Sequence, residues 1–280
     1  MREIKIPILS YHSHHVMGST YETNDHLALY DDLRTINTEG YKIVPLRWLV
    51  DWFLGRRNQL DKSIAITFDD GCDLDWIDFN HPQHGFTRSF RTILEEFKVE
   101  ASNEQPHLEA SSFVIGSPTA RRQIDDKAYR GWGILSDYWW KSAEDSGILK
   151  IYNHGWDHNY PLIECVRRKN NARGTFNNID TYEECQDEVQ RAAEYIGQQI
   201  YRSWPDLFAY PYGESSGYIK EIYFPQFMEQ HKTIAAFGAS GGYLTKDSFR
   251  WDLPRFVCGN LPPFGWRTTA ELEEILYAAG

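Results

Sequence analysis

Short apolar runs alternate with amphipathic helical patterns along the 280-residue chain. The runs at 63–68, 110–116 and 148–153 predict buried strands, because they are short, rich in β-branched and aromatic residues and bounded by turn residues. Between such runs, apolar side chains recur at helical spacing, as over residues 25–39. This alternation predicts parallel strands joined by crossover helices. Seven or eight such units favour an α/β fold of one domain over residues 1–280, a distorted (β/α) barrel.

One segment interrupts the alternation of strands and helices. Residues 72–89 are polar and aromatic, with several Asp, His, Pro and Gly residues. Connections of this length are uncommon in compact domains and are usually functional. We therefore expect an insert here that shapes the choice of substrate.

Composition excludes several classes of protein. A formal net charge of −11 argues against a nucleic-acid partner, whose phosphates would be repelled. No apolar run approaches the ~20 residues that a membrane-spanning helix needs. The first ten residues are too short and interrupted for the apolar region of a signal peptide, which predicts a cytoplasmic protein, or a secreted one if a leader has been removed. The four cysteines form no CxxC pair, so a thiolate zinc site is not expected.

Chemistry-bearing residues follow the ends of several predicted strands. Asp69 and Asp70 follow the strand at 63–68, and His12, His154 and Tyr212 follow three others. Since active sites of such barrels lie at the carboxyl ends of the strands, these residues are expected to share one site.

The acid pair and a pair of histidines indicate a metal site. Two carboxylates as close as Asp69 and Asp70 repel each other unless a cation keeps both ionised. The spacing of His154 and His158 places two imidazoles on one face of a helical turn. A carboxylate with two imidazoles is a common ligand set for catalytic zinc. An ordinary Asp-Gly turn and two solvent-facing histidines are the alternatives.

Three motifs together resemble a known family. TFDDG at 67–71, HGWDH at 154–158 and FAYPYG at 208–213 occur in this order. They resemble the metal-dependent polysaccharide deacetylases, which are the NodB-homology family or carbohydrate esterase family four. The amino-acid sequence of the third motif is similar to that of the branch that acts on poly-N-acetylglucosamine. The resemblance spans nearly the whole chain apart from the insert.

The resemblance implies a role for each motif residue. Asp70, His154 and His158 correspond to the ligands of a divalent metal. Zinc is the expected metal, with cobalt and nickel as alternatives. Asp69 corresponds to the general base that takes a proton from water. The backbone N–H of Tyr212 corresponds to the donor that receives the developing oxyanion.

Two departures from the family pattern require substitutes. Many members carry an arginine where this chain has Ala209, and Arg255 is the candidate to orient the base instead, against a plain structural ion pair. The family's late histidine is also missing, since His231 is expected to lie at a solvated helix end. The similar branch draws this histidine from the amino-terminal Tyr-His, so His12 is the candidate general acid.

Further aromatic and histidine residues are candidates with weaker signals. Trp156 lies inside the second motif and offers a flat ring that suits the apolar face of a sugar. Tyr210 and Pro211 of the third motif are further candidates for substrate binding. His14 and His15 are expected to be loop histidines outside the chemistry.

The sequence therefore predicts a metal-dependent hydrolase that removes N-acetyl groups from an N-acetylated saccharide, which is possibly lipid- or nucleotide-linked. One alternative is hydrolysis of another carbon–nitrogen amide bond on the same barrel. The other is a carbohydrate-binding relative without catalysis, which the two departures favour and the intact acid and histidine pairs oppose. The sequence indicates no oligomeric state.

Overall fold

The computed structural model describes residues 4–58, 60–164, 166, 176–201, 204–259 and 265–280. The strands are β1 (Ile8–Tyr11), β2 (Lys42–Ile43), β3 (Ser63–Phe68), β4 (Phe79–His81), β5 (Gly85–Thr87), β6 (Ala110–Val114), β7 (Leu149–Asn153), β8 (Leu207–Ala209), β9 (Ala235–Phe237), β10 (Phe256–Cys258) and β11 (Gly265–Trp266).

Eight of these strands form one continuous parallel sheet. Their order is β11-β10-β1-β3-β6-β7-β8-β9, and β2 pairs with the first part of β3. The sheet curls into a distorted barrel, so the expected seven or eight parallel strands are confirmed. The insert at 72–89 contains the separate antiparallel hairpin β4–β5, which the sequence pattern had not indicated.

Helices connect the strands. They are α1 (Asp25–Thr38), α2 (Leu46–Phe53), α3 (Phe90–Glu100), α4 (Pro118–Ala128), α5 (Trp140–Ser146), α6 (Tyr182–Cys185, Gln186–Arg191 and Ala192–Ile200), α7 (Ile219–Tyr223 and Phe224–Gln226), α8 (Met228–His231) and α9 (Thr269–Ala279). The middle part of α6 is π-helical. None of the described helices has the length and apolar character needed to cross a bilayer.

The two faces of each strand serve different cores. In β3, Ile66 and Phe68 pack with the helices outside the sheet, whereas Ala65 points to the inner side with Phe113 and Ala209. This follows from the two-residue period of a strand. The same period places Thr67 and then Asp69 on the inner side, so the strand itself aims one carboxylate into the barrel.

The cysteines take no part in a disulfide among the described residues. Cys72, Cys185 and Cys258 are free and buried. Cys165 lies outside the described residues.

Candidate active site

A cavity of about 530 Å³ opens at the carboxyl ends of the strands. Its walls contain the residues that followed the predicted strands. The lining residues used below are His12, His14, Asp69, Asp70, His154, His158 and Tyr212. The structure therefore brings together, in one cavity, residues that are up to about 200 positions apart in the sequence.

The turn after β3 aims both aspartates at this cavity. The backbone of Asp69 still pairs with β1, because its N–H donates to the Tyr11 carbonyl at 3.2 Å. Asp70 and Gly71 then adopt left-handed backbone conformations, with φ of 73° and 69°. A β-carbon at Gly71 would lie 2.6 Å from the Val114 side chain, so only glycine fits there. The reversed backbone turns Asp70 toward the point that Asp69 already faces.

Asp70, His154 and His158 form the group of potential metal ligands. One ligand atom from each lies within 4.8 Å of the other two. His158 Nε2 is 3.1 Å and His154 Nε2 is 3.6 Å from Asp70 Oδ1. Burial raises the pKa of Asp70, but the two facing imidazoles outweigh it, and this pKa lies well below its usual value. The carboxylate is therefore in the form that binds a cation.

The backbone fixes the orientation of the His154 ring. Its Nδ1–H donates to the Ala209 carbonyl at 2.9 Å, which leaves Nε2 directed at Asp70. Histidine ligands of metals commonly use their second ring nitrogen in this way. The position at which family members carry an arginine therefore contributes here through its main chain, a role that a side-chain motif does not reveal.

The loop 154–158 is held by a buried glutamate that sequence reasoning missed. Glu188 lies in the π-helical part of α6, and its Oε2 accepts the N–H groups of Trp156 and Asp157 at 2.9 and 3.3 Å. Asn153 adds two bonds, since its Oδ1 accepts from Gly155 and its amide donates to the Val189 carbonyl. The bonds of Glu188 and the bond from Asn153 to Val189 cross more than 30 residues of sequence, and no local pattern marks them.

Arg255 makes a two-point ion pair with Asp69. Its Nη1 and Nη2 lie 2.7 and 2.8 Å from the two carboxylate oxygens, and its Nε donates to the Gly238 carbonyl. Arg255 is fully buried and Asp69 is 6% exposed. Burial raises the pKa of Asp69, but the charge of Arg255 and then that of His154 outweigh it, and the net pKa is below its usual value. The guanidinium thus holds Asp69 ionised and in one orientation.

The loop from His12 to His15 forms another wall of the cavity. The buried Asp25 accepts the His12 backbone N–H at 2.8 Å and the His15 Nδ1–H at 2.6 Å. This hydrogen bond to Asp25 raises the pKa of His15. His12 lines the cavity together with Asp69. His14 and His15, which were expected to be loop histidines outside the chemistry, also line the cavity.

Tyr212 lines the cavity, whereas three other candidates do not. Its backbone is left-handed, with φ of 59°, and its ring packs edge-on 4.5 Å from that of His158. Tyr210 is fully buried and donates its hydroxyl to the Trp251 carbonyl, and Pro211 is buried beside it. The Trp156 ring lies under the Arg191 guanidinium at 4.0 Å and beside Tyr195.

The late histidine is not at a solvated helix end. His231 is fully buried, its Nε2–H donates to the Phe224 carbonyl, and its Nδ1 accepts the Thr233 N–H. Burial lowers its pKa to about 4. Both ring nitrogens are therefore used in packing the helices α7 and α8, and His231 is not among the cavity residues.

The donor set fits a divalent cation. One carboxylate and two imidazole nitrogens are a usual three-ligand set for catalytic zinc, with a further position left for water or substrate. The carbonyl bonded to His154 Nδ1 fixes which nitrogen is available. The site also contains an ionised carboxylate that belongs to no such set, Asp69, beside an additional histidine, His12. This arrangement can bind a cation and offers two further groups that can accept or donate a proton.

Comparisons with known proteins identify a family and several solved structures of the same fold. The family model of the polysaccharide deacetylases matches residues 56–223. No curated protein matches the chain in sequence. The deacetylase PplD of Streptococcus pyogenes, solved in complex with acetate, shares the fold with a TM-score of 0.64 at 15% identity, covering 98% of this chain and 99% of that one.

Two further solved structures share the fold. IcaB from Ammonifex degensii is 16% identical, with a TM-score of 0.63 and coverage of 99% of this chain and 97% of that chain. A de-N-acetylase from Aggregatibacter actinomycetemcomitans is 14% identical, with a TM-score of 0.54 and coverage of 90% and 94%. At such identities these similarities establish the fold alone.

Proposed function

Because the chain belongs to the polysaccharide deacetylase family, we propose that it hydrolyses N-acetyl groups of an N-acetylated saccharide with the help of a divalent cation. The observation that carries this proposal is the convergence of Asp70, His154 and His158 beside the ion-paired Asp69. An inactive binding protein would not need an ionised carboxylate held by a buried arginine next to this group of potential metal ligands.

Asp70, His154 and His158 would hold the cation. Zinc is the cation that this mixture of one carboxylate and two imidazoles fits best, with cobalt and nickel as alternatives. When bound, such a cation supplies a Lewis acid and makes water a much stronger acid. The Ala209 carbonyl supports this set by fixing the tautomer of His154.

Asp69 is the proposed general base. Its two oxygens are held by Arg255, and its pKa is below the usual value, so it is ionised at neutral pH and ready to accept a proton from water. Asp69 follows β3 on its inner side and lines the cavity in which the substrate would bind.

His12 and Tyr212 are proposed to act on the other parts of the amide. His12 lines the cavity with Asp69, and its imidazole would deliver a proton to the leaving amine of the sugar. The backbone N–H of Tyr212, in its left-handed turn, would donate to the oxygen of the tetrahedral intermediate. The substrate is a saccharide in this proposal, and the cavity of about 530 Å³ has room for one sugar unit.

Acetate release tests the role of Asp69. The protein loaded with zinc is expected to release acetate from N-acetylglucosamine oligomers, and Asp69→Asn is expected to lose roughly 10²- to 10⁴-fold in kcat, the usual contribution of a general base. Bound zinc, measured by elemental analysis, should stay unchanged. Asp31→Asn on the exposed side of α1 is the matched control. Equal rates for Asp69→Asn and the wild type would remove Asp69 as the base.

The role of His12 has a separate test. His12→Ala is expected to lower kcat by roughly 10²- to 10⁴-fold through loss of leaving-group protonation, while zinc affinity stays at the wild-type value. His107→Ala, far from the cavity beside Trp48, is the control. An unaffected rate in His12→Ala would refute this assignment, and a lost zinc ion would make His12 a ligand instead.

A further inference from the structure

His14 is a third imidazole beside Asp70 and lies against the carboxylate oxygen that His154 and His158 do not face. His14 Nδ1 is 3.4 Å from Asp70 Oδ2, while the imidazoles of the ligand group face Oδ1. The two oxygens of this carboxylate therefore have different neighbours. One faces the place where a cation would bind, and the other faces a ring nitrogen.

This nitrogen has no other use among the described residues. His14 Nδ1 is buried and makes no hydrogen bond there. Leaving a buried polar group without a partner is unfavourable, and such groups often mark a site of function. Its 3.4 Å separation from Asp70 Oδ2 is slightly longer than a normal hydrogen bond, and hydrogen bonds of this kind commonly shorten when an active site is loaded.

The surrounding loop holds the His14 ring in this place. Ser13, its neighbour, donates its hydroxyl to the buried Asp75 at 2.5 Å, and the Ser13 carbonyl accepts from His26 Nε2 at 2.7 Å. The ring itself packs between those of His12 and Tyr129, with centroid distances of 5.5 and 5.1 Å. The hydrogen bonds of Ser13 hold the backbone next to His14, and the rings of His12 and Tyr129 hold the imidazole. The fold therefore sets the direction of Nδ1.

We propose that His14 is a positioning residue whose Nδ1–H donates to Asp70 Oδ2 and so keeps Oδ1 directed at the cation. This inference rests on the proposed function. His14 acts through Asp70 and is not a ligand, because the ligand atoms that lie within 4.8 Å of one another in the described part of the chain come from Asp70, His154 and His158. Hydrogen-bond partners of metal-binding carboxylates are a recurrent second layer of such sites.

Two substitutions separate the nitrogen of His14 from its ring. His14→Phe keeps a ring between His12 and Tyr129 and removes the N–H, whereas His14→Asn removes the ring and keeps an N–H close to the position of Nδ1. His84→Phe, in the exposed turn of the β4–β5 hairpin, is the matched control. Zinc dissociation constants would be measured on metal-free protein by competition with a chromophoric chelator, and cobalt-loaded protein would give a visible spectrum of the ligand set.

We expect His14→Phe to bind zinc roughly ten- to a hundredfold more weakly than the wild type, the usual effect of losing such a partner. His14→Asn should stay near the wild-type affinity. The cobalt spectrum at saturation should be unchanged in both variants, because the ligands are the same. Circular dichroism would check that both variants are folded.

Three results would overturn the inference while leaving the proposed function intact. They are wild-type affinity in His14→Phe, an affinity in His14→Asn as weak as that in His14→Phe, and a changed cobalt spectrum in either variant, which would make His14 a direct ligand. Failure of the wild type to bind zinc or cobalt would be a different result, since it would overturn the proposed function and this inference together.

Discussion

At the scale of single residues, the site depends on how few conformations its charged side chains can adopt. Asp69 is bound at both oxygens by Arg255, and Arg255 is bound in turn by the Gly238 carbonyl and the Thr67 hydroxyl. A charge pair buried to this extent stabilises the fold only if both partners remain, because either one alone would be an uncompensated buried charge. We therefore expect the pair to position Asp69, and its loss to lower the rate of catalysis.

Arg255→Lys tests this positioning role. A lysine ammonium carries the same charge but cannot make the two parallel bonds, so we expect kcat for acetate release to fall roughly ten- to a hundredfold with unchanged zinc affinity. Arg56→Lys, an exposed arginine beside Asp51, is the control and should have no effect. Wild-type kcat in Arg255→Lys would mean that the ion pair is only structural.

At the scale of elements, buried carboxylates join segments that are distant in sequence. Asp75, in the short turn that opens the insert, accepts hydroxyls from Ser13 in the histidine loop and from Ser112 in β6, at 2.5 and 2.6 Å. It is fully buried. Burial raises its pKa to about 8, even though the hydrogen bonds from the two serines oppose this change.

This raised pKa predicts a dependence of stability on pH. Between the usual pKa of an aspartate and about 8, the folded protein holds a proton on Asp75 that the unfolded chain has lost. Stability must therefore fall as the pH rises through this range, by up to about 1.4 kcal/mol per pH unit for one proton. Asp75→Asn is always neutral and keeps hydrogen-bonding groups at the same place, so this part of the decline should be absent.

Urea unfolding at several pH values between 5 and 8 would measure this difference. Asp32 and Glu109 also have pKa values raised to about 7 by burial, so the informative quantity is the free energy of unfolding of the wild type minus that of Asp75→Asn. We expect this quantity to decrease steadily as the pH rises. A constant difference across the range would show that Asp75 is already ionised in the folded protein.

The sequence pattern predicted the elements that obey a local rule. The strand before Asp69 has a two-residue period and ends in a turn-forming Asp-Gly, and both signals are local. The sequence pattern could not predict the role of Glu188. This residue binds a loop about 30 positions away and lies in an otherwise ordinary helical pattern. The two-residue strand β11 is too short to show any period.

Motif membership alone also misplaced some side chains relative to the cavity. Trp156 stands between two histidines that line the cavity, but its indole packs outward against α6. Gly116 packs closely against both partners, since a β-carbon added there would lie 3.1 Å from the Trp156 ring and from Ala192 of α6. Tyr210 likewise follows β8 with its ring in the core. Side chains that are neighbours in a motif can therefore point either into the cavity or into the core. Tertiary packing, which the sequence does not show, determines the direction of each one.

At the scale of the whole molecule, the cavity exists only when the complete sheet is formed. Its chemical groups follow β1, β3, β7 and β8, and Arg255, which binds Asp69, precedes β10, so the site draws on nearly the full length of the chain. Since no single segment carries more than part of the ligand set, the unfolded chain should bind a cation weakly. Cation binding and folding are therefore expected to be coupled, and the cation should stabilise the folded protein.

Zinc stoichiometry is the most direct test of the account. Metal-free protein would be equilibrated with a small excess of zinc, freed of unbound ion and examined by elemental analysis. We predict about one zinc ion per chain in the wild type and in Asp69→Asn, and a strong loss in Asp70→Ala, because Asp70, unlike Asp69, belongs to the proposed ligand set. A wild type without zinc, or an Asp70→Ala variant that retains it fully, would contradict the account.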